Sequence, residues 1–102
     1  MIRASAFYSN KEGAKFDFDY YRDRHFPMVL ELLRPFGAIR FEIERGVGMS
    51  DGRPPKFIAI GSLYIDSLDG LSRGMAVHGE QISADVKNYT DLSPTLQFSE
   101  IV

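Results

Sequence analysis

Histidine and tyrosine carry most of the chemistry this chain can offer, and few enough of them matter to be weighed one by one. His25 stands in an apolar run and is followed directly by Phe26-Pro27. An imidazole, with an unperturbed pKa of about 6.5, takes or gives a proton near neutrality, which is what a general acid or base must do. In that role His25 would line a cleft between a helix and a sheet. As a structural residue it would instead satisfy backbone groups around the proline, and the residue pattern leaves both readings open. Tyr21 lies four residues earlier on the same helical face, so the two rings are neighbours. Its phenol can orient a substrate carbonyl or the imidazole, or it can be an amphipathic core residue with its hydroxyl at the rim. Tyr20 points to a different side. His78 immediately precedes Gly79, and a histidine in a last helical turn complements the exposed carbonyls there, a structural role. It becomes a second catalytic imidazole only if both helices line one cavity.

Other chemistries lack their residues. There is no cysteine, hence no disulfide, thiolate zinc site or thiol nucleophile. A metal site would have to draw on carboxylates such as Asp19, Glu80 or Asp85. No His-x-x-x-His or Glu-x-x-His spacing joins them to the two histidines, so neither a metal nor another cofactor is expected. Gly46-x-Gly48 is too short and badly placed for a phosphate cradle, and Ser62, Ser67 and Ser72 lack the context of a nucleophile elbow. Twelve basic and fourteen acidic side chains leave a net charge of −2, which offers nucleic acid no electrostatic footprint. Met1 to Ser5 do not open a signal peptide, and no apolar stretch approaches the roughly 20 residues of a membrane span. A cytoplasmic protein with neither nucleic acid nor membrane as partner is expected. With 44% hydrophobic and 25% charged residues among 102, the composition predicts one globular domain over 1–102.

The elements that must position these side chains follow from periodicity. Ile2, Ala4, Ala6 and Tyr8 share one parity and Phe7 the other, predicting a strand over Ile2–Ser9 with both faces at least partly covered. Asp17 or Asp19 can cap the helix that follows, along which Phe18, Tyr21, His25, Met28, Val29 and Leu32 recur at three- and four-residue steps. Pro27 interrupts that stripe. Its missing amide hydrogen and its clash with the Asp23 carbonyl predict a kink, or else the start of a second short helix. Pro35 and Gly37 close the element. Ile39, Phe41 and Ile43 alternate with Arg40, Glu42 and Glu44 in a half-buried strand. Phe57–Asp66 is apolar on both faces, with Phe57, Ala59, Leu63 and Ile65 opposite Ile58, Ile60 and Tyr64, so it belongs in the middle of its sheet. Ser67 caps a second helix with Leu68, Leu71, Met75 and His78 on one face, which Gly79 ends or bends. Leu96, Phe98 and Glu100 mark a last strand.

The order β-α-β-β-α-β predicts an α+β, ferredoxin-like domain with a four-stranded antiparallel sheet. Two helices cover only one face of such a sheet. An opposite face bearing apolar side chains predicts a second copy packed sheet against sheet, hence a homodimer.

Phe16-Asp17-Phe18-Asp19-Tyr20-Tyr21, followed by His25-Phe26-Pro27-Met28-Val29, resembles the signature of the EthD family, a Tyr-Tyr pair and then His-x-Pro. Pro55–Gly61, His78-Gly79-Glu80, Asp85–Asp91 and the closing Gln97–Val102 are similar to the family's later segments, in the same order. The resemblance implies a ferredoxin-like monomer whose sheets pair into a dimeric α/β barrel. Related barrels include lactone isomerases, polyketide cyclases, cofactor-free monooxygenases and haem-handling proteins, so membership defines the fold better than the reaction. Two functions of different class are expected. One is a cofactor-independent acid–base enzyme of isomerase, cyclase, dehydratase or decarboxylase type. In it His25, Tyr21 and His78 would act on a small hydrophobic oxygenated compound of catabolism or secondary metabolism. The other is a non-catalytic protein that holds a small hydrophobic ligand in the same pocket, haem included, with His25 as axial ligand.

Overall fold

Alternating side chains and short capping residues set the main elements of residues 1–102, described here from a computed structural model. The strands are β1 (Ile2–Ser9), β2 (Ala38–Arg45), β3 (Phe57–Ile65) and β4 (Thr95–Glu100). Between β1 and β2 runs a helical segment made of α1 (Phe18–Tyr20), a π turn (Tyr21–His25) and α2 (Phe26–Leu33), and between β3 and β4 runs α3 (Leu68–Ala84). All strand pairs are antiparallel, in the order β2-β3-β1-β4. This is the ferredoxin-like βαββαβ fold. The strand that is apolar on both faces, β3, takes an interior place. No helix is long and apolar enough to cross a membrane.

The first helical segment starts where its cap predicts. The Asp17 carboxylate accepts the Tyr20 N–H at 3.1 Å. Of the two expectations for the proline, the start of a second short helix holds, since Pro27 opens α2. The chain widens just ahead of it, where the Phe26 N–H donates to the Tyr21 carbonyl five residues back. The residues flanking this π turn keep right-handed helical dihedrals, and Pro27 falls in the first turn of α2, where a missing N–H is least felt. The wide turn advances the inward face by one residue. Tyr21, His25, Phe26, Val29 and Leu33 are buried, where regular spacing pointed to Leu32.

Three other expectations are corrected by local backbone chemistry. Ile39 is 44% exposed because a register shift between Ala38 and Arg40 makes it the extra residue of a bulge. Leu68 is exposed too. The helix α3 settles on Gly70, Leu71 and Gly74 instead, since a Cβ at Gly70 would strike the Phe36 carbonyl and one at Gly74 the Leu33 side chain. It then runs unbroken through Gly79 to Ala84, so His78 is not in its last turn.

The uncovered face of the sheet is not the apolar surface that alternation suggested. At its centre the Arg3 guanidinium donates to Ser62 Oγ at 3.1 Å and to Glu44 Oε2 at 2.9 Å, while the Ser5 and Ser62 hydroxyls lie 3.0 Å apart. Tyr64 donates to Glu42 at 2.6 Å, and Arg40 pairs with Glu42 at 3.0 Å while lying over the Tyr64 ring at 3.9 Å. Apolar side chains gather at one end, where the Phe7 and Phe57 rings are 5.2 Å apart.

Candidate functional site

Small side chains hold open a space on the helix-covered face. Ala4 and Ala6 of β1 pair with Leu63 and Gly61 of β3. Tyr21 and Phe26 rest on Gly61, where a Cβ would sit 2.5 Å from the Phe26 ring and closer still to the Tyr21 hydroxyl. What remains is a largely apolar cavity of about 140 Å³ between the sheet, the π turn and α3. An apolar cavity of about 150 Å³ takes up a ring the size of benzene. Leu96 and Phe98 of β4 line this one yet stay 58% and 51% exposed, marking its mouth.

His25 reaches the cavity from the π turn and is 5% exposed. Its Nδ1 lies 2.9 Å from Oδ2 of Asp85, the residue that caps the C-terminus of α3. The chain beyond α3 is tied to the start of α1, which carries Asp85 and Tyr89 to His25. The Asp17 N–H donates to the Tyr89 carbonyl at 2.8 Å and Thr90 Oγ1 to the Lys15 carbonyl at 2.6 Å. Oδ1 of Asp85 accepts from the Tyr20 hydroxyl at 2.7 Å and the Asn88 amide at 2.9 Å. Burial pushes the Asp85 carboxyl up, but the bonds from Asn88, Tyr20 and His25 outweigh it and hold the group below its usual range.

The consequences for the imidazole are specific. An ionised Asp85 only accepts, so Nδ1 carries the ring proton and Nε2 the lone pair. Nε2 bonds to no protein group, and the chain has no sealed side-chain nitrogen or oxygen without a partner. Nε2 is therefore not sealed, on a side chain that lines the cavity. Burial lowers the His25 pKa below its ordinary 6.5 by more than Asp85 raises it, so the ring is neutral at neutral pH. A neutral imidazole held at Nδ1, with its lone pair unpaired on a side chain that lines an apolar cavity, has the geometry of a general base.

Three phenols complete the wall. Tyr21 stacks on His25 with ring centroids 5.5 Å apart, and Tyr89 lies 4.7 Å from His25 and 4.5 Å from Tyr21. The hydroxyls of Tyr8 and Tyr89 meet at 2.6 Å. Burial first, and then their mutual contacts, drive Tyr21 and Tyr89 well above the usual phenol range, and burial raises Tyr8 as well. All three remain protonated donors.

Of the residues singled out from sequence, the structure brings His25 and Tyr21 together on one cavity. His78 is not among the lining residues; it packs edge-on against Phe36 with ring centroids 6.0 Å apart. Tyr20 points away from the cavity but reaches Asp85. Asp85, Tyr8 and Tyr89 were missed as site residues. No three metal-ligating side chains of His, Cys, Asp or Glu converge anywhere in the chain.

Fold and site together define a ferredoxin-like domain with a histidine-bearing pocket between helices and sheet, and the comparisons narrow this to a family. Residues 12–93 match the EthD domain, so the chain belongs to the EthD family. The crystal structure of an EthD-like protein from Ralstonia eutropha JMP134 is similar at TM-score 0.91 and 40% identity, covering 99% of this chain and 91% of that one. An ethyl tert-butyl ether d (EthD) family protein from Bacillus halodurans C-125 follows at TM-score 0.72 and 25% identity, covering 100% and 99%. A dimeric ferredoxin-like protein from an uncultured marine organism shares the fold at TM-score 0.56 and 13% identity, covering 100% and 95%. No curated protein matches the chain.

Proposed function

We propose that this EthD-family protein is a cofactor-independent acid–base enzyme in which His25 moves a proton on a small hydrophobic oxygenated compound. One observation carries the reading: Nδ1 of His25 is bonded to Asp85 at 2.9 Å, while Nε2 has no protein partner on a side chain that lines an apolar cavity. Buried polar atoms are ordinarily paired, so an unpaired and unsealed ring nitrogen there is free to meet a ligand. Asp85 fixes the tautomer and faces the imidazolium that forms when the proton arrives, and Tyr21 holds the ring plane by stacking. Isomerisation, cyclisation, dehydration and decarboxylation all use such a group. The cavity's volume suits a single ring rather than a porphyrin.

The test is a screen of small oxygenated apolar compounds in D2O, reading deuterium uptake or product by mass spectrometry. The wild type should accelerate exchange or conversion of at least one compound, and His25→Ala should lose that acceleration. Compounds that bind but never exchange, or that exchange equally in both proteins, would mean that the pocket only binds.

The working unit is a homodimer joined through the uncovered sheet faces. That reading is supported by the bare face itself and by the dimeric assembly named for the marine relative. Ser62 is fully buried at the centre of that face, and an obligate interface there would bury about 2,000 Å² or more. Sedimentation should give a dimer mass at micromolar concentration, and Ile60→Lys, at a partly exposed position of the same face, should give monomers. A wild-type monomer would refute the assembly.

A further inference from the structure

We infer that the paired hydroxyls of Tyr8 and Tyr89 hold the carbonyl oxygen of the substrate, so that the substrate is a ring-sized ketone, ester or lactone with a C–H beside its carbonyl. This deepens the proposed function and rests on His25 being the base. Tyr8, Tyr21 and Tyr89 bring three O–H groups, of which one lies between Tyr8 and Tyr89 at 2.6 Å and one between Tyr8 and Tyr21. No hydroxyl of the three donates to a backbone carbonyl or a carboxylate, so one O–H is left over. Both residues are buried, Tyr8 at 1% and Tyr89 at 3% exposure, and both line the cavity. An unspent donor in that position needs an acceptor that enters the cavity.

The remaining surroundings say what kind of acceptor. The lining is mostly aliphatic and aromatic, and the hydroxyl of Ser5 is taken by Ser62 on the opposite face. The ligand is therefore apolar apart from an oxygen that accepts. A phenol that receives a hydrogen bond donates its own more strongly, because the two bonds polarise each other. Burial keeps both phenols protonated, so they remain donors. Tyr89 lies between this oxygen site and the base, its ring 4.7 Å from that of His25.

The step this permits balances without a further reagent. The C–H bond beside the carbonyl breaks and its proton forms a bond to Nε2 of His25. The electron pair left on carbon becomes a C=C bond, and the carbonyl π pair moves onto oxygen, where the phenol O–H meets the growing charge. Where a C=C is attached to the carbon that loses its proton, the enolate extends over that double bond, and the imidazolium, facing Asp85, returns the proton to its far carbon and is neutral again. The product is then an isomer whose C=C is conjugated with the carbonyl; without that C=C the proton returns to the same carbon and the step is exchange alone.

The experiment compares two probes of similar outline, cyclohexanone and methylcyclohexane, binding to the intact protein by NMR titration. The double variant Tyr8→Phe/Tyr89→Phe keeps the rings and removes both hydroxyls. The ratio of cyclohexanone to methylcyclohexane affinity should fall about tenfold in it, the loss of one hydrogen bond, with methylcyclohexane binding unchanged. Should the double variant bind neither probe, Tyr89→Phe alone decides by the same ratio. An unchanged ratio, or no cyclohexanone binding by the wild type, would overturn the inference. His25→Ala separates the two readings because it should keep the ratio while losing proton exchange. If the ratio falls in the tyrosine variant but no carbonyl compound ever exchanges, the base reading fails and the oxygen site stands. If exchange depends on His25 but the ratio does not move, the oxygen site fails and the base stands.

Discussion

The two faces of the sheet are made by the same strands and use their side chains in opposite ways. On the covered face Ala4 and Ala6 leave room for a cavity, and Gly61 seats the Tyr21 and Phe26 rings that wall it. On the bare face Arg3, Arg40, Glu42, Glu44, Ser5 and Ser62 interlock in hydrogen bonds and ion pairs. The contrast is sharpest between consecutive residues. Gly61 supports Tyr21 and Phe26, while Ser62, one position on, bonds with Arg3 and Ser5. Parity within one strand thus separates a face that walls a cavity from a face of interlocked polar side chains, and each can be broken alone.

The largest effect should come from Gly61→Val. The new methyl groups meet Tyr21 and Phe26 in a filled place, so unfolding by urea should show a loss of about 3 kcal/mol. Ser62→Ala, its neighbour on the other face, should cost clearly less, and equal losses would erase the contrast. Next comes Asp85→Asn, which removes the acceptor that fixes the His25 tautomer. Proton exchange should fall roughly a hundredfold, while cyclohexanone affinity stays within about twofold; a loss of affinity as large as the loss of rate would make Asp85 a packing residue.

A smaller effect belongs to pH. The folded His25 pKa lies below 6.5, so as pH falls the unfolded chain takes up a proton first. Its contribution is intact above about pH 6.5 and is lost on the way down to the folded pKa, at no more than about 1.4 kcal/mol per pH unit. Urea midpoints of the wild type should slope downward in that window, and His25→Gln should flatten the slope. The same slope in both proteins would place the titration elsewhere. Arg3→Ala on the bare face should have the least effect, under about 1 kcal/mol, and 1 M salt should shrink the difference further. A loss of several kcal/mol measured on the isolated chain would show that the bare face is part of the core.

The element order was legible because each strand announces itself by alternation and each helix by its cap. Ile2–Ser9 has the bounds its parity predicts, and Asp17 and Ser67 both cap through their side chains. The sequence was misleading where one residue is added or a side chain is missing. The bulge at Ile39, the wide turn before Pro27 and the close seat of α3 on Gly70 and Gly74 each move the inward face away from regular spacing. Two of the five site residues were legible for a related reason. Tyr21 and His25 sit four residues apart and identify each other, whereas Tyr8, Asp85 and Tyr89 arrive from a strand and from the chain beyond α3. Only the links between residues 15–17 and 89–90 bring those pieces together, and no local pattern encodes them. A signal was nevertheless present: Ala4, Ala6 and Gly61 are small at positions where a filled core would carry bulk.

The wide turn at Tyr21–His25 also works as a phase shifter. An evenly wound helix advances by about 100° per residue, so it cannot keep one face for chemistry upstream and a differently aligned face for packing downstream. The additional residue resets the phase between them, which lets consecutive side chains, His25 and Phe26, both turn inward. Removing one residue from the turn would restore even winding and leave α2 seated where it is. Everything before the deleted residue would then rotate by about 100°, taking Tyr21 off its stack on His25 and off its seat on Gly61. The irregularity therefore belongs to the site as much as any side chain does.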